Sequence, residues 1–204
     1  MKKILSFLVL VLLSLNAVGQ GTTQPQQILN RAVEKITNSK GVVTEFKIYN
    51  SGYSGSGRIK SSGNKFNVTL PDVEVWYNGK DLYTYNKNTN ETTVVVPSPE
   101  ELSESNPLTY VTNASKTYNV TFSTVKKNGM DVLELTPKKK GEIKRITLTL
   151  RKSDSIPEKI VVEPSSGNPI TAEITSFKAV GNLSSSDFEY PESKFSKVEV
   201  IDLR

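Results

Sequence analysis

The sequence contains no cysteine and no histidine among its 204 residues. Their absence excludes disulfide bonds, cysteine nucleophiles, histidine-based catalytic triads, the usual zinc sites and haem ligation by either side chain. A catalytic site would have to use a carboxylate pair, a serine–lysine pair or a metal with oxygen ligands. Acidic residues mostly stand singly at strand or turn positions that are expected to face solvent, so we predict no enzyme, metal site or cofactor.

A concentration of charge of one sign is also lacking. The 26 Lys and Arg residues nearly balance the 21 Asp and Glu residues, for a net charge of +5. The nearest approach to a charge block is Lys138-Lys139-Lys140, which could touch anionic headgroups or a partner's acidic rim, although a solvated loop is the simpler interpretation. We therefore predict no nucleic-acid binding.

A long apolar run occurs only at the start of the chain, from Ile4 to Leu15. It follows Lys2 and Lys3, it precedes small residues that suit a signal peptidase, and it is shorter than the ~20 residues of a membrane helix. No cysteine follows it, so the run does not resemble a lipoprotein signal. We interpret residues 1–19 as a signal peptide cleaved near Gly19 or Gln20, and residues 20–204 as a single domain. A retained N-terminal anchor is the alternative.

Three segments have the pattern of helices. Thr23, Pro25 and Gln26 form an N-terminal capping pattern, and the apolar residues that follow recur at helical spacing: Ile28, Leu29, Ala32, Val33 and Ile36. A helix this short needs an apolar surface to lie on.

The other two helices are short and come in mid-chain. One begins at the capping box Ser98–Glu101 and the other at Asn106-Pro107. Insertions of this kind in a β protein cross a sheet face or cover a cavity. A plain surface connection is the other interpretation.

Elsewhere the apolar residues alternate with polar ones, as in Val42 to Ile48, and turns recur at short intervals. This pattern predicts a mainly β protein with a few helices and about ten or eleven strands, connected locally. We expect an open, incomplete antiparallel β-barrel, or one highly curved sheet, with an N-terminal helix and short lid helices over an apolar cavity.

Asn78-Gly79, within the stretch from Asp72 to Val96, marks a hairpin turn. A three-residue loop there gathers most of the apolar residues on one face, and burial favours that register. The residues that it places together are Val73, Val75, Tyr77, Tyr83 and Tyr85. Trp76 then lies on the opposite face, and we expect it against the N-terminal helix or a lid.

The glycine-rich stretch Gly52–Gly57 does not match two enzymatic motifs. A nucleophile elbow would need glycine where Ser56 stands, and a dinucleotide-binding fingerprint would need glycine at Lys60. Gly55 and Gly57 share a face, so the strand is bare there, which suits a close approach or strong bending of the sheet.

The order of these features resembles the LolA/LolB-type periplasmic lipoprotein carriers. The similarity extends over nearly all of the chain after residue 19 and depends on the order and spacing of short, degenerate segments. These are the first helix, Gly55-Ser56-Gly57, Val75–Asn86, Asn106-Pro107-Leu108, Leu135-Thr136-Pro137-Lys138, Ile156–Ile160 and Asp187–Pro191. One departure is Ser61-Ser62-Gly63-Asn64, where the family often has a basic residue before a proline that is implicated in lid control.

The resemblance implies a carrier whose apolar cavity shields the acyl chains of lipoproteins crossing the periplasm. It implies an inner-membrane ABC-type exporter and an outer-membrane receptor as partners, and we expect a monomer. The wall residues that we predict are Phe46, Ile48, Phe66, Val68, Val75, Tyr77, Tyr83 and Tyr85. The lid residues are Leu102, Leu108, Tyr110 and Val111. Two alternatives remain open. The cavity wall could instead be the opposite face, with Trp76 and Leu82, or the face could be an ordinary sheet core with no cavity.

Two further functions remain open at this point. A module of the same fold could bind lipids or lipidated proteins as a sensor without shuttling them. A purely structural envelope protein would have a cavity filled by its own side chains.

Overall fold

The computed structural model describes residues 23–204 and contains twelve β-strands in one sheet. The predicted signal peptide at residues 1–19 lies outside the described residues. The strands are β1 Gly41–Asn50, β2 Tyr53–Ser62, β3 Lys65–Thr69, β4 Val73–Tyr77, β5 Leu82–Asn86, β6 Glu91–Val95, β7 Tyr118–Phe122, β8 Met130–Pro137, β9 Ile143–Arg151, β10 Pro157–Pro164, β11 Ile170–Val180 and β12 Glu199–Asp202.

Within residues 23–204, four α-helices and one 3₁₀ helix accompany the sheet. They are α1 Gln24–Thr37, α2 Pro99–Ser105, α3 Leu108–Thr112, α4 Ala114–Thr117 and the 3₁₀ helix Ser185–Asp187. The predicted capping box of α2 is confirmed, since Ser98 Oγ accepts from the Glu101 amide at 3.2 Å and Glu101 Oε2 accepts from the Ser98 amide at 2.7 Å. Thr23 stands at the N-cap of α1, but its side chain makes no capping hydrogen bond.

The sheet is built from two meanders that meet at one strand pair. Its strand order is β12-β6-β5-β4-β3-β2-β1-β11-β10-β9-β8-β7. Neighbours are antiparallel except β12, which runs parallel to β6. The pairing of β1 with β11 contains a register shift between Glu45 and Phe46, which bends a sheet locally. β12 and β7 form the two free edges, so the expected open, curved sheet is confirmed.

The segment that carries α2, α3 and α4 connects β6 to β7. β6 lies next to the edge strand β12, and β7 is the strand at the opposite edge. This segment therefore has to run across the width of the sheet, from near one edge to the opposite edge. We call it the crossing segment. Its position agrees with the expectation that the mid-chain helices cross a sheet face.

One face of the sheet is covered by α1 and the crossing segment, and we call it the helix-covered face. The stripe of α1 fits the prediction, since Ile28, Leu29, Ala32 and Ile36 are buried. They belong to one apolar cluster with residues of β1–β5, β7–β11, α3 and α4. A 14-residue amphipathic helix is stabilised mainly by such packing. No helix among residues 23–204 is both long enough and apolar enough to cross a membrane.

Gly57 leaves one position on the helix-covered face of β2 without a side chain. It pairs directly with Phe46 of β1. A Cβ atom at Gly57 would lie 2.7 Å from Phe46 Cζ and 2.7 Å from Leu70 Cδ2. The Phe46 ring therefore lies over the bare backbone, which is the close approach that the sequence suggested.

We predict that Gly57→Ala lowers the free energy of unfolding by about 1–3 kcal/mol, because the added methyl group overpacks the site. Urea unfolding followed by Trp76 fluorescence measures this difference. Gly141→Ala is the matched control, since a Cβ there meets no heavy atom within 4 Å, and we expect a change within about 0.5 kcal/mol. Equal losses in the two variants would contradict the close packing of Phe46.

Candidate functional site

Six of the eight predicted wall residues lie on the helix-covered face. Residues that pair directly in neighbouring strands have side chains on the same face of the sheet. Val68 pairs with both Ile59 and Val75, and Phe66 pairs with Tyr77, so these residues share one face. The six residues are Phe46, Ile48, Phe66, Val68, Val75 and Tyr77, and all of them belong to the apolar cluster under the helices or pack against it.

The predicted hairpin register is wrong by one residue. Tyr77 pairs with Leu82, and the loop between them is Asn78–Asp81. Asn78 Oδ1 accepts hydrogen bonds from the amides of Lys80 at 3.0 Å and Asp81 at 2.9 Å, which fixes this longer loop. A one-residue change in register moves every side chain of a strand to the other face. Leu82 therefore shares the helix-covered face with Tyr77.

Tyr83 and Tyr85, predicted as wall residues, lie on the opposite face with Trp76. Trp76 pairs directly with Tyr83. This face is covered by the C-terminal segment, in particular by Tyr190 and Phe195, and we call it the tail-covered face. The expectation that Trp76 packs against the N-terminal helix or a lid is therefore also wrong.

The tail-covered face is held by aromatic packing. The Trp76 ring centroid lies 5.4 Å from that of Tyr190 and 5.6 Å from that of Phe195, in edge-to-face contacts. Tyr83 stacks on Tyr190 at 5.1 Å, and Tyr85 lies 4.5 Å from Phe195. Such pairs add to the stabilisation from burial. Both faces of this hairpin are thus apolar, and for that reason burial could not decide its register.

Polar contacts fix the C-terminal segment in place. Lys60 Nζ donates to Asp187 Oδ1 at 2.7 Å, and this bond lowers the pKa of the Asp187 carboxyl. Phe188, the next residue, is 2% exposed, so its buried ring also anchors the C-terminal segment. Near the end of the chain Arg204 Nη1 donates to Asp81 Oδ2 at 3.1 Å. The segment is a fixed cover of the tail-covered face.

The four predicted lid residues all meet the helix-covered face. Leu108, Tyr110 and Val111 of α3 are buried, and Leu102 of α2 packs against the same apolar cluster. Burial raises the pKa of Tyr110 to about 12. α3 contacts α1, α2 and α4. These contacts join the crossing segment and α1 into one layer over the sheet.

The space beneath this layer is filled by the protein's own side chains. Leu29 of α1, Leu108 of α3 and Leu133 of β8 are all no more than 1% exposed. The expected open apolar cavity is therefore closed in this structure.

Two buried hydroxyl groups that the sequence pattern does not predict lie on the helix-covered face. Thr44 and Ser61 are buried, and among residues 23–204 neither side-chain oxygen has a hydrogen-bond partner. Their strands pair so that both side chains lie on the face of Phe46. Their positions in an alternating strand were the available signal.

A comparison with protein families assigns the chain. Residues 15–164 match the family described as outer membrane lipoprotein carrier protein LolA, and the match spans well over half of the 204 residues. The chain belongs to the LolA family. The predicted resemblance is thereby confirmed. No curated protein matches the chain significantly.

Solved structures resemble this LolA-family protein in fold. An uncharacterized conserved protein from Thermus thermophilus has 14% identity and a TM-score of 0.62, with 88% of this chain and 99% of that chain covered. A DUF1329 family protein from Desulfovibrio piger has 14% identity and a TM-score of 0.50, with 82% and 98% covered. A LolA superfamily protein from Nitrosomonas europaea has 14% identity and a TM-score of 0.47, with 82% and 98% covered.

The LolA-family chain departs from the expected family pattern at the turn after β2. Gly63 has a φ of 59° in the turn between β2 and β3, and Ser62 Oγ donates to the Lys40 carbonyl oxygen at 2.8 Å. The turn is thus a tight hairpin with small and polar residues.

We predict that the hydrogen bond between Tyr190 and Thr92 stabilises the tail-covered face. Thr92 Oγ1 and the Tyr190 hydroxyl lie 3.0 Å apart in a buried site. Tyr190→Phe and Thr92→Val should each lower the free energy of unfolding by about 1–2 kcal/mol, because each leaves one buried polar group unpaired. The double variant should lose less than the sum of the two.

Urea unfolding of the two single variants and the double variant measures the coupling. Tyr53→Phe is the control for loss of a tyrosine hydroxyl, since Tyr53 is 44% exposed. Strictly additive losses would show that the two hydroxyls do not interact in solution.

Proposed function

We propose that this LolA-family protein is a periplasmic carrier that binds the acyl chains of lipoproteins between α1, the crossing segment and the helix-covered face. The observation that supports this most directly is the family match over residues 15–164, on a chain whose apolar sheet face is covered by short helices. The family is named for lipoprotein carriage rather than for a catalysed reaction, which supports a binding protein and not an enzyme.

The binding wall that we propose is continuous and apolar. It consists of Phe46, Ile48, Phe66, Val68, Val75, Tyr77 and Leu82, without Tyr83 and Tyr85. Each methylene group removed from water contributes about 0.8 kcal/mol, so a long acyl chain corresponds to roughly 10 kcal/mol. A surface of this size and character can offset most of that cost, whereas a few hydrogen bonds could not.

The lid that we propose is the crossing segment, with Leu102, Leu108, Tyr110 and Val111 as its contact residues. α2 has 7 residues and α3 has 5, and helices so short are not stable by themselves in water. Their position depends on contact with the sheet and with α1. A guest that replaces the contacts of the crossing segment with the sheet and α1 therefore displaces the lid at a moderate cost in free energy.

Competition between guest and lid limits the affinity. The guest contacts the wall only after the side chains of Leu108 and Val111 have moved away from it. The net binding free energy is therefore the gain from burying the guest minus the loss from exposing these lid side chains. A carrier needs such a limit, because it has to release its cargo. Cargo would be received from an inner-membrane ABC-type exporter and released to an outer-membrane receptor, with the protein acting as a monomer.

The direct test is native mass spectrometry of the protein purified from its own periplasm, followed by an assay of lipoprotein extraction from membranes. We expect bound acylated species in the spectrum and soluble complexes of protein and lipoprotein in the assay. Absence of bound lipid, of extraction and of acyl-probe binding would refute the proposal. Bound lipid without extraction would favour a sensor that does not shuttle.

We predict that Leu108→Ala binds a fluorescent acyl probe at least about tenfold more tightly. Truncation of a buried leucine removes about 2–5 kcal/mol of packing, and here that packing holds the lid closed. If about 1.4 kcal/mol of this lost packing energy no longer opposes opening of the lid, the affinity for the probe rises about tenfold. Fluorescence titration with the probe measures the change.

Tyr83→Ala is the matched control for the lid variant. It also removes a packed side chain, but from the tail-covered face, so the protein should lose stability while probe affinity stays the same. Weaker binding by Leu108→Ala, or an equal effect of both variants, would contradict the competition between lid and guest.

A further inference from the structure

A second surface feature lies beside the N-terminal half of α1, at the β7 end of the helix-covered face. A groove of about 530 Å³ separates Gln24, Ile28 and Arg31 of α1 from the connection between β7 and β8 and from Lys152. Residues 124–129 of that connection are all exposed. The groove is therefore bordered by a projecting hairpin tip.

Large apolar side chains are exposed at this tip. Val125 is 62% exposed and Phe122 is 40% exposed. Both line the groove, and only two residues separate them in the chain. A pair of exposed apolar side chains on a projecting turn, next to basic residues, is typical of a contact site for another surface.

Positive charge surrounds the two apolar residues. Lys126, Lys127, Lys152 and Arg31 line the groove, and among its lining residues Asp131 is the one acidic side chain. Asp131 Oδ1 lies 4.0 Å from Lys152 Nζ. Lys126 Nζ lies 5.8 Å from the centre of the Phe122 ring. Among the ion pairs of the described residues, none involves Lys126 or Lys127.

The tip is held in place by its backbone. The Ser123 amide donates to the Val132 carbonyl at 2.9 Å, and the Met130 amide donates to the Lys127 carbonyl at 3.1 Å. The Lys152 amide donates to the Gly129 carbonyl at 3.0 Å, which ties the tip to the turn after β9. Apolar and basic side chains are thus presented together by a fixed scaffold.

We propose that this basic corner, formed by Arg31, Phe122, Val125, Lys126, Lys127 and Lys152, docks on the surface of an anionic lipid bilayer. Val125 and Phe122 enter the region between the headgroups and the acyl chains, and the cations contact lipid phosphates. Lysine favours this occupant, because its mobile point charge suits a diffuse anionic surface, whereas defined carboxylates are more often bound by the planar fork of arginine. Three of the four cations are lysines.

The docking surface does not depend on the proposed acyl site. Its residues are distinct from the wall and lid residues, and it would bring the protein to a membrane whatever cargo it carries. Each lysine near an anionic bilayer surface contributes about a fivefold change in partitioning. Loss of two lysines should therefore weaken binding roughly 30-fold.

The test is co-sedimentation of the purified protein with vesicles of equal parts phosphatidylglycerol and phosphatidylcholine, compared with vesicles of phosphatidylcholine alone. The test variant is Lys126→Gln with Lys127→Gln. The matched control is Lys139→Gln with Lys140→Gln, because both lysines are exposed and lie beyond the other end of the eight-residue strand β8, ~26 Å away at ~3.3 Å per residue. Urea unfolding checks that both variants fold equally well.

We expect salt-sensitive binding to the anionic vesicles only, a roughly 30-fold loss in the test variant and less than a twofold loss in the control. Val125→Ser should weaken binding several-fold without changing its salt dependence. Equal binding to both kinds of vesicle, or equal loss in both lysine variants, would overturn the proposal. Binding to an acidic peptide in the absence of vesicle binding would also overturn it, in favour of a protein partner.

Discussion

Keeping one apolar face of the sheet away from water is the constraint on which the rest of this structure depends. The strand pairings carry that face from Leu82 of β5 across β1 and β11 to Leu135 of β8. An exposed apolar surface of this extent would be costly in water. α1 and the crossing segment meet the constraint with their own side chains. A guest with hydrocarbon chains could meet it equally well, and the proposed function follows from that equivalence.

The two faces of the sheet differ in how firmly they are covered. The tail-covered face has stacked rings, the Lys60–Asp187 ion pair at 2.7 Å and the parallel pairing of β12 with β6. The crossing segment on the other face consists of short helices, and no residue of α2 is buried. Local stability in proteins follows such differences in packing and hydrogen bonding. The exchange of lid and guest that we propose is therefore assigned to the helix-covered face.

Much of this arrangement could be predicted from residue spacing. The stripe of α1 and the alternation around Phe46 each have one physical solution, because the opposite choice would expose apolar residues. The Ser98–Glu101 box could be predicted because its hydrogen bonds depend only on residues three apart in the chain. The hairpin at Asn78 has two possible registers, because both of its faces carry apolar side chains. Val75 and Tyr77 are on one face, and Trp76 and Tyr83 are on the other. Loop geometry at Asn78 decided between them. The basic corner combines Arg31 of α1 with Lys152 after β9, and only the tertiary structure brings these residues together.

The pairing of β1 with β11 has a consequence for the order of folding. Gly41 pairs with Val180 and Tyr49 pairs with Thr171, so the two meanders cannot join until nearly the whole polypeptide is available. Pairings between residues so distant in the chain form slowly, since the loop must close before the contacts form. Each meander would meanwhile have an unpaired edge at β1 or β11, which is prone to aggregation. A chain that emerges from its N-terminus would therefore reach its native sheet only late.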